Sequence, residues 1–198
     1  MERTTIAVGA YEVNCSIVRA NGRVLVIDPG AEGDRVADAL EKLGLAPDAI
    51  LLTHAHFDHI GGVAALESRF PDIQTYLGLD DAVMFGHPFN QSPPDYPLAP
   101  KPQNLRDAHA LEGVVAIDTP GHTPGGISYY FPDDGILFSG DTLFAGSVGR
   151  TDFPGGSMSR LMDSLKKLTA LPPKTVVVPG HGPETTIAEE IRSNPFLA

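Results

Sequence analysis

His54-Ala55-His56-Phe57-Asp58-His59 directly follows the apolar run Ala49-Ile50-Leu51-Leu52-Thr53. A short apolar run of that kind reads as a buried strand, so it delivers four side chains with metal-ligating atoms into the interior. Clustered imidazoles and a carboxylate are costly to bury without a partner, and a bound cation is such a partner. His54 and His56 are two apart, so at an extended strand end their rings point the same way and can clamp one ion. Asp58 and His59 follow where Ile60-Gly61-Gly62 releases the chain into a helix, and can serve a second ion. Neutral imidazoles suit zinc or iron, and the carboxylate admits manganese.

Three later segments repeat the arrangement of a strand followed by a ligand-type residue. Thr119-Pro120-Gly121-His122-Thr123-Pro124-Gly125-Gly126 places a histidine in a Pro/Gly-bounded turn between two strand-like runs. Gly135-Ile136-Leu137-Phe138-Ser139-Gly140-Asp141 ends an apolar run on a carboxylate. Thr175-Val176-Val177-Val178-Pro179-Gly180-His181-Gly182 ends another on a glycine-flanked histidine. His87 and His109 fall outside these motifs and read as ordinary loop histidines.

The His-x-His-x-Asp-His run, with these segments in this order, resembles the signature of the metallo-β-lactamase superfamily. The resemblance implies a four-layer αββα sandwich, an α/β (α+β) fold, with two divalent metal ions, foremost Zn2+, with Fe or Mn as alternatives. It implies that His54, His56 and His122 hold the first metal, Asp58, His59 and His181 the second, and that Asp141 bridges them. A metal-bridging water would be the nucleophile, because an ion pair activates water and polarises a carbonyl, and Asp58 would handle its proton. Asp28 ends the apolar run Val24-Leu25-Val26-Ile27; it either caps the helix that follows or, as in the family, orients a ligand from behind.

Asp141 to Gly156 is similar to the glyoxalase II branch, the hydroxyacylglutathione hydrolases, in their short bacterial form. There a basic residue aligned with Arg150 holds glutathione's carboxylate; pairing with Asp152 is the structural alternative. Two features depart from that pattern. Only seventeen residues follow His181, so the C-terminal helical domain that completes the glutathione site is not expected, and residues 1–198 read as one domain. The aromatic residue expected after the basic one is replaced by Thr151 and Asp152. The same Gly149-Arg150-Thr151-Asp152-Phe153 run is similar to the persulfide dioxygenases, which would use a single iron on His54, His122 and Asp141. The reading is therefore a metal-dependent hydrolase of a small acyl thioester, with the mono-iron dioxygenase as the alternative. Hydrolysis of a β-lactam, lactone or phosphoester is further down the order.

The rest of the chain sets bounds. A length of 198 residues and 42% apolar content suit a globular core. A net charge of −11 with no basic run argues against a nucleic-acid partner. No apolar stretch approaches the roughly 20 residues of a membrane span, and the N-terminus carries no signal-type segment, so a cytoplasmic location is expected. The single cysteine, Cys15, sits in apolar alternation and reads as a buried core residue. Strands are expected at 5–8, 14–19, 24–27, 50–52, 74–77, 114–117, 127–131, 135–138 and 175–178. Helices are expected at 33–43, 62–70, 79–85, 157–171 and 184–191. Residues 86–104 hold six prolines and form a stiff loop, either a wall over the metal edge or a passive connection. The apolar tail Pro195-Phe196-Leu197-Ala198 either docks on its own core or supports a homodimer.

Overall fold

Strands apolar on both faces need cover on both faces, and the fold supplies it in four layers. The structure, a computed structural model, describes residues 1–197. The first sheet runs β1 (Glu2–Val8), β2 (Val13–Ala20), β3 (Arg23–Ile27), β4 (Ala49–Leu51), β5 (Gln74–Leu77) and β6 (Leu105–Asp107), in that spatial order. Its helices are α1 (Gly33–Lys42), the single turn α2 (Phe57–Ile60) and α3 (Val63–Arg69). The second half adds β7 (Val115–Asp118), β8 (Ile127–Phe131) and β9 (Ile136–Gly140). A small hairpin follows, β10 (Leu143–Phe144) with β11 (Ser147–Val148), and then α4 (Met158–Thr169). Last come β12 (Val176–Pro179), β13 (Thr185–Thr186) and α5 (Ile187–Ser193). The second sheet has the order β13-β12-β9-β8-β7.

Side-chain alternation along the strands sorts the core into three sets. Val26 and Ile50 face α1 and α3, where Val36, Ala37, Leu40, Val63 and Leu66 close over them together with Cys15. Leu25, Ile27 and Leu51 face the other way and meet Tyr129, Phe131, Phe138 and Val178 of the second sheet. Leu137 and Val177 are covered by Leu161, Leu165 and Leu168 of α4 and by Ile187 of α5. The spacing of the three leucines along α4 gives the helix one apolar stripe. Leu197 packs against this third set, so the tail docks on its own core as far as it is described; Ala198 lies outside the described residues.

Strands β3 to β6 are parallel, as are β9 and β12, so their C-terminal ends gather along shared edges. Backbone bonds tie the two edges together: Ile127 N donates to Thr53 O at 2.7 Å, and Asn14 N to Gly180 O at 2.8 Å. The loops after β3, β4, β9 and β12 therefore converge on one place.

Most expected elements are present within a residue or three of their bounds, and several differences have physical reasons. Over residues 79–85 the chain forms a 3₁₀ helix, Leu79–Met84, not an α-helix; Asp81 N closes a three-residue turn onto Gly78 O at 3.0 Å, and Phe85 is extended. Asp58 and His59 lie within α2, not in a loop ahead of a helix. The last helix starts at Ile187, because Thr185 and Thr186 pair with β12 and the Thr186 hydroxyl then caps the helix by accepting from Glu189 N. Short β6 was not expected; it follows the proline-rich stretch and pairs at the sheet edge. Among the described residues no helix is long and apolar enough to cross a membrane.

Tyr129 tests how the sheets lock. Its buried hydroxyl donates to the Leu52 carbonyl at 3.1 Å and to Tyr76 O at 3.3 Å, pinning the strand end that leads to His54. Tyr129→Phe is expected to lower unfolding free energy by about 1–2 kcal/mol, read from the urea midpoint at unchanged slope.

Candidate metal centre

The chain leaves β4 at Leu51, so His54 and His56 stand in the loop beyond the strand and not on it. Their rings still lie 4.8 Å apart, and His122 joins both, at 4.8 Å from His54 and 4.5 Å from His56. The single turn α2 then carries Asp58 and His59 toward His181, whose Nε2 is 3.4 Å from Asp58 Oδ2 and 3.4 Å from His59 Nε2. Asp141 stands between the two groups: Oδ2 is 3.6 Å from His122 Nε2 and 3.6 Å from His181 Nε2. Ligand atoms within each of three groups, His54–His56–His122, His54–His59–Asp141 and Asp58–His59–His181, lie within 4.8 Å of one another.

The outward nitrogens are held from behind. His59 Nδ1 is 3.0 Å from Asp28 Oδ2, His122 Nδ1 is 2.8 Å from Arg150 O, and His181 Nδ1 is 2.8 Å from Tyr11 O. Each pairing fixes a tautomer with Nδ1–H donating outward and the Nε2 lone pair facing the centre. Asp28 does more than meet His59. Its carboxylate accepts from Thr53 N at 2.8 Å and from the Thr53 hydroxyl at 2.7 Å, and that hydroxyl oxygen is in turn 3.1 Å from His54 Nδ1. Asp28 reaches them from a left-handed backbone turn, φ 46°. It does not cap α1, which starts at Glu32 without any side-chain cap.

Two residues outside the sequence motifs build the frame. Buried Asp81 accepts from Ala55 N at 3.2 Å and Gly125 N at 2.6 Å, joining the loop of His54 and His56 to the loop of His122. Asn90, from the proline-rich stretch, is also buried and donates to Ala55 O at 2.8 Å. An Asp pair just after an apolar strand was the available signal for Asp81; nothing local marks Asn90. The glycines beside the ligands have a steric cause. A Cβ at Gly180 would overlap the Asp141 carboxylate and the His59 ring, and one at Gly140 would overlap Thr53.

The residues present fit a bound cation. His54 Nε2 and Asp141 Oδ1 are buried with no hydrogen-bond partner, and His56 Nδ1 faces His122 Nε2 at 2.8 Å. Orphaned buried donors and acceptors are rare and costly, and converging lone pairs repel, so an ion that accepts them satisfies all three observations. Burial, then the charges of neighbouring imidazoles, push His54 well below the ordinary histidine range and His56 down to about 4. Both are thereby kept as neutral donors. For His59, burial acts in the same direction, but Asp141, Asp28 and Asp58 outweigh it and raise its pKa well above the ordinary value. Burial opposes the ionised form of Asp141 as well, and is overcome by His59, His122 and His181, which hold the carboxyl well below the usual range.

Around the mouth, Tyr11, Phe57 and Phe153 form walls with Gln91 and Ser92. The stretch 86–104 is thus a wall of the site through Asn90, Gln91 and Ser92, and Tyr96 buries its ring against Tyr11 and Phe57. Arg150 is engaged by Asp152, Nε to Oδ1 and Nη2 to Oδ2, both at 2.7 Å. That partner holds Asp152 down to about 2. Of the remaining histidines, His109 pairs with Asp118 at 2.8 Å, and His87 stacks on Phe89 along the pocket that adjoins His56.

A fold of two facing sheets, helix-covered outside, with a histidine–carboxylate cluster at one edge defines a class of metal-dependent hydrolases. The chain belongs to the metallo-beta-lactamase superfamily, whose family model matches residues 8–181. It is 36% identical to the hydroxyacylglutathione hydrolase GloC of Haemophilus influenzae, over 97% of this chain and 96% of that one. The crystal structure of the B3 metallo-beta-lactamase BLEG-1 superposes with a TM-score of 0.88 at 36% identity, covering 99% of each chain. That of TTHA1623 in a di-iron-bound form gives a TM-score of 0.84 at 40% identity, covering 98% of this chain and 100% of that one.

Asp28→Asn removes part of the bracing behind His59 and Thr53. It is expected to weaken metal binding about tenfold or more, measured by competition with a chromophoric chelator. In the wild type, stripping the metal should lower Tm, because the orphaned donors lose the ligand that stabilises only the folded state.

Proposed function

We propose that the protein hydrolyses a small acyl thioester, with His54, His56 and His122 holding one divalent ion, Asp58, His59 and His181 a second, and Asp141 bridging. The observation that carries the reading is the Asp141 carboxylate, 3.6 Å from a histidine of each set. Imidazole predominates among the donors, which supports zinc as the ion. Such a pair, when bound, lowers the pKa of water and polarises an acyl carbonyl. The similarity to a hydroxyacylglutathione hydrolase supports a thioester as the bond attacked.

The chain's own residues supply the rest. Tyr11, Phe57 and Phe153 wall the mouth and give the substrate an apolar surface to lie against. Asp28 and the carbonyls of Arg150 and Tyr11 keep the imidazole lone pairs aimed inward, so no reorganisation is needed as charge develops on the acyl oxygen. The Asp58 carboxylate, whose Oδ2 lies 3.4 Å from His181 Nε2, would accept the proton released by the attacking water. Cys15 is fully buried in the first-sheet core, and burial pushes its thiol far up, so it takes no part as a nucleophile.

Metal analysis of protein purified without added metal, run beside an S-lactoylglutathione assay, tests this. Two zinc-class ions per chain with thioester turnover are expected, and His56→Ala should lose the turnover together with metal at the first site. A single iron with oxygen uptake on glutathione persulfide, and no thioester cleavage, would replace the hydrolase with a dioxygenase using His54, His122 and Asp141.

A further inference from the structure

Beside the centre, and open to it at His56, lies a pocket of about 400 Å³ walled by Phe57, Val83, Met84, Phe89 and Phe153. That volume lies within the range of small-molecule sites. Phe89 is 82% exposed and Val83 73% exposed, so apolar surface stands uncovered next to a reactive centre. The carboxylates lining it are Asp80 and Asp81, and among the described residues no lysine or arginine lines it. At the metal mouth itself, Arg150 is the one lysine or arginine among the described lining residues.

One edge and one face of the Arg150 guanidinium are already engaged. Asp152 takes the paired Nε and Nη2 edge of its guanidinium, and the flat face lies 3.9 Å from the centroid of the Phe153 ring. Phe153 in turn packs edge-on to His56 at 5.7 Å, so the stacked pair forms part of the pocket wall. An incoming carboxylate that seeks the Nε–Nη2 edge competes with one tethered two residues away, whose effective concentration far exceeds that of a dissolved substrate. The net charge of −11 adds long-range repulsion.

We propose that Asp152 is a specificity-determining residue that masks Arg150, and that the apolar pocket selects a thioester carrying a bulky uncharged group in preference to one built on the carboxylate-bearing glutathione. The inference rests on the thioester-hydrolase reading and narrows its substrate class. The apolar group can sit on the acyl side or the thiol side of the scissile bond, since the pocket opens at the metal edge where both arrive.

The experiment compares kcat/KM of the metal-loaded enzyme for four thioesters: S-hexanoyl- and S-acetyl-N-acetylcysteamine, S-hexanoylglutathione, and S-benzyl thioacetate. The hexanoyl-N-acetylcysteamine ester, the benzyl ester or both should exceed the acetyl and the glutathione esters by about tenfold. Whichever leads assigns the apolar group to the acyl or the thiol side. Asp152→Asn should raise the glutathione-to-N-acetylcysteamine ratio for the hexanoyl esters about tenfold, mainly through KM for the glutathione ester. Val83→Asp, at an exposed position where the fold tolerates change, should cut kcat/KM for the favoured apolar ester about tenfold. S-hexanoylglutathione as the best substrate, with its ratio unmoved in Asp152→Asn, would overturn the proposal and leave the hydrolase standing. Cleavage of none of the four would overturn the thioester reading itself, and this inference with it.

Discussion

The Asp28 carboxylate accepts hydrogen bonds from Thr53 N, from the Thr53 hydroxyl and from His59 Nδ1, all in the buried interior. A buried carboxylate must be fully satisfied to be tolerated, and satisfying this one fixes three separate pieces of chain against each other. The end of β3 is tied to the loop after β4 and to α2. Through Thr53 the restraint reaches His54, and through Ile127 N, which donates to Thr53 O, it reaches the second sheet. The positions of the metal donors therefore follow from one buried acid and its three partners. The left-handed turn at Asp28 is the local cost of aiming it there.

Close approach completes the arrangement. Loops from both sheets bring donors together only if the backbone between them takes almost no room. Besides Gly180 and Gly140, Gly30 lies against the Asp58 carbonyl and Gly149 against the Asp141 carbonyl, so closely that a Cβ at either would overlap them. Any side chain there would push a ligand-bearing loop outward. Misplacement of that size matters for a metal site, where distances are held within about 0.2 Å. The glycines and the hydrogen bonds from behind thus act on the same coordinate, the separation of the donor atoms.

The sequence made the donors legible and hid their scaffold. The His-x-His-x-Asp-His run and the strand-end residues His122, Asp141 and His181 could be read because each is chemically out of place beside an apolar run. Strands such as Gln74–Leu77 and Ile127–Phe131 matched residue for residue, since their bounds coincide with turn residues. What escaped depends on tertiary pairing. Asp81 reads as one half of a surface Asp-Asp pair until it is seen bonding two loops, and Asn90 reads as one polar residue among prolines. The 3₁₀ turn at Leu79–Met84 was mistaken for an α-helix because its apolar residues fit both periods over so short a span. Arg150 had two readings, and only geometry could show its guanidinium already paired with Asp152.

The two ligand sets differ in chemistry, and that difference arises from what surrounds each histidine. Around His54 and His56, burial and the neighbouring imidazoles favour the neutral ring, outweighing Asp58 and Asp141 at His56. Around His59 and His181 the neighbours are Asp58 and Asp141; burial still resists charge, but the carboxylates prevail and favour the protonated rings when no ion competes. An ion held by the second set would meet the negative charge of Asp58 and Asp141. Imidazole suits zinc, iron and copper, whereas carboxylate also suits harder ions. The same edge of the fold thus sets a nitrogen-rich group of donors beside a carboxylate-rich one, with Asp141 between them.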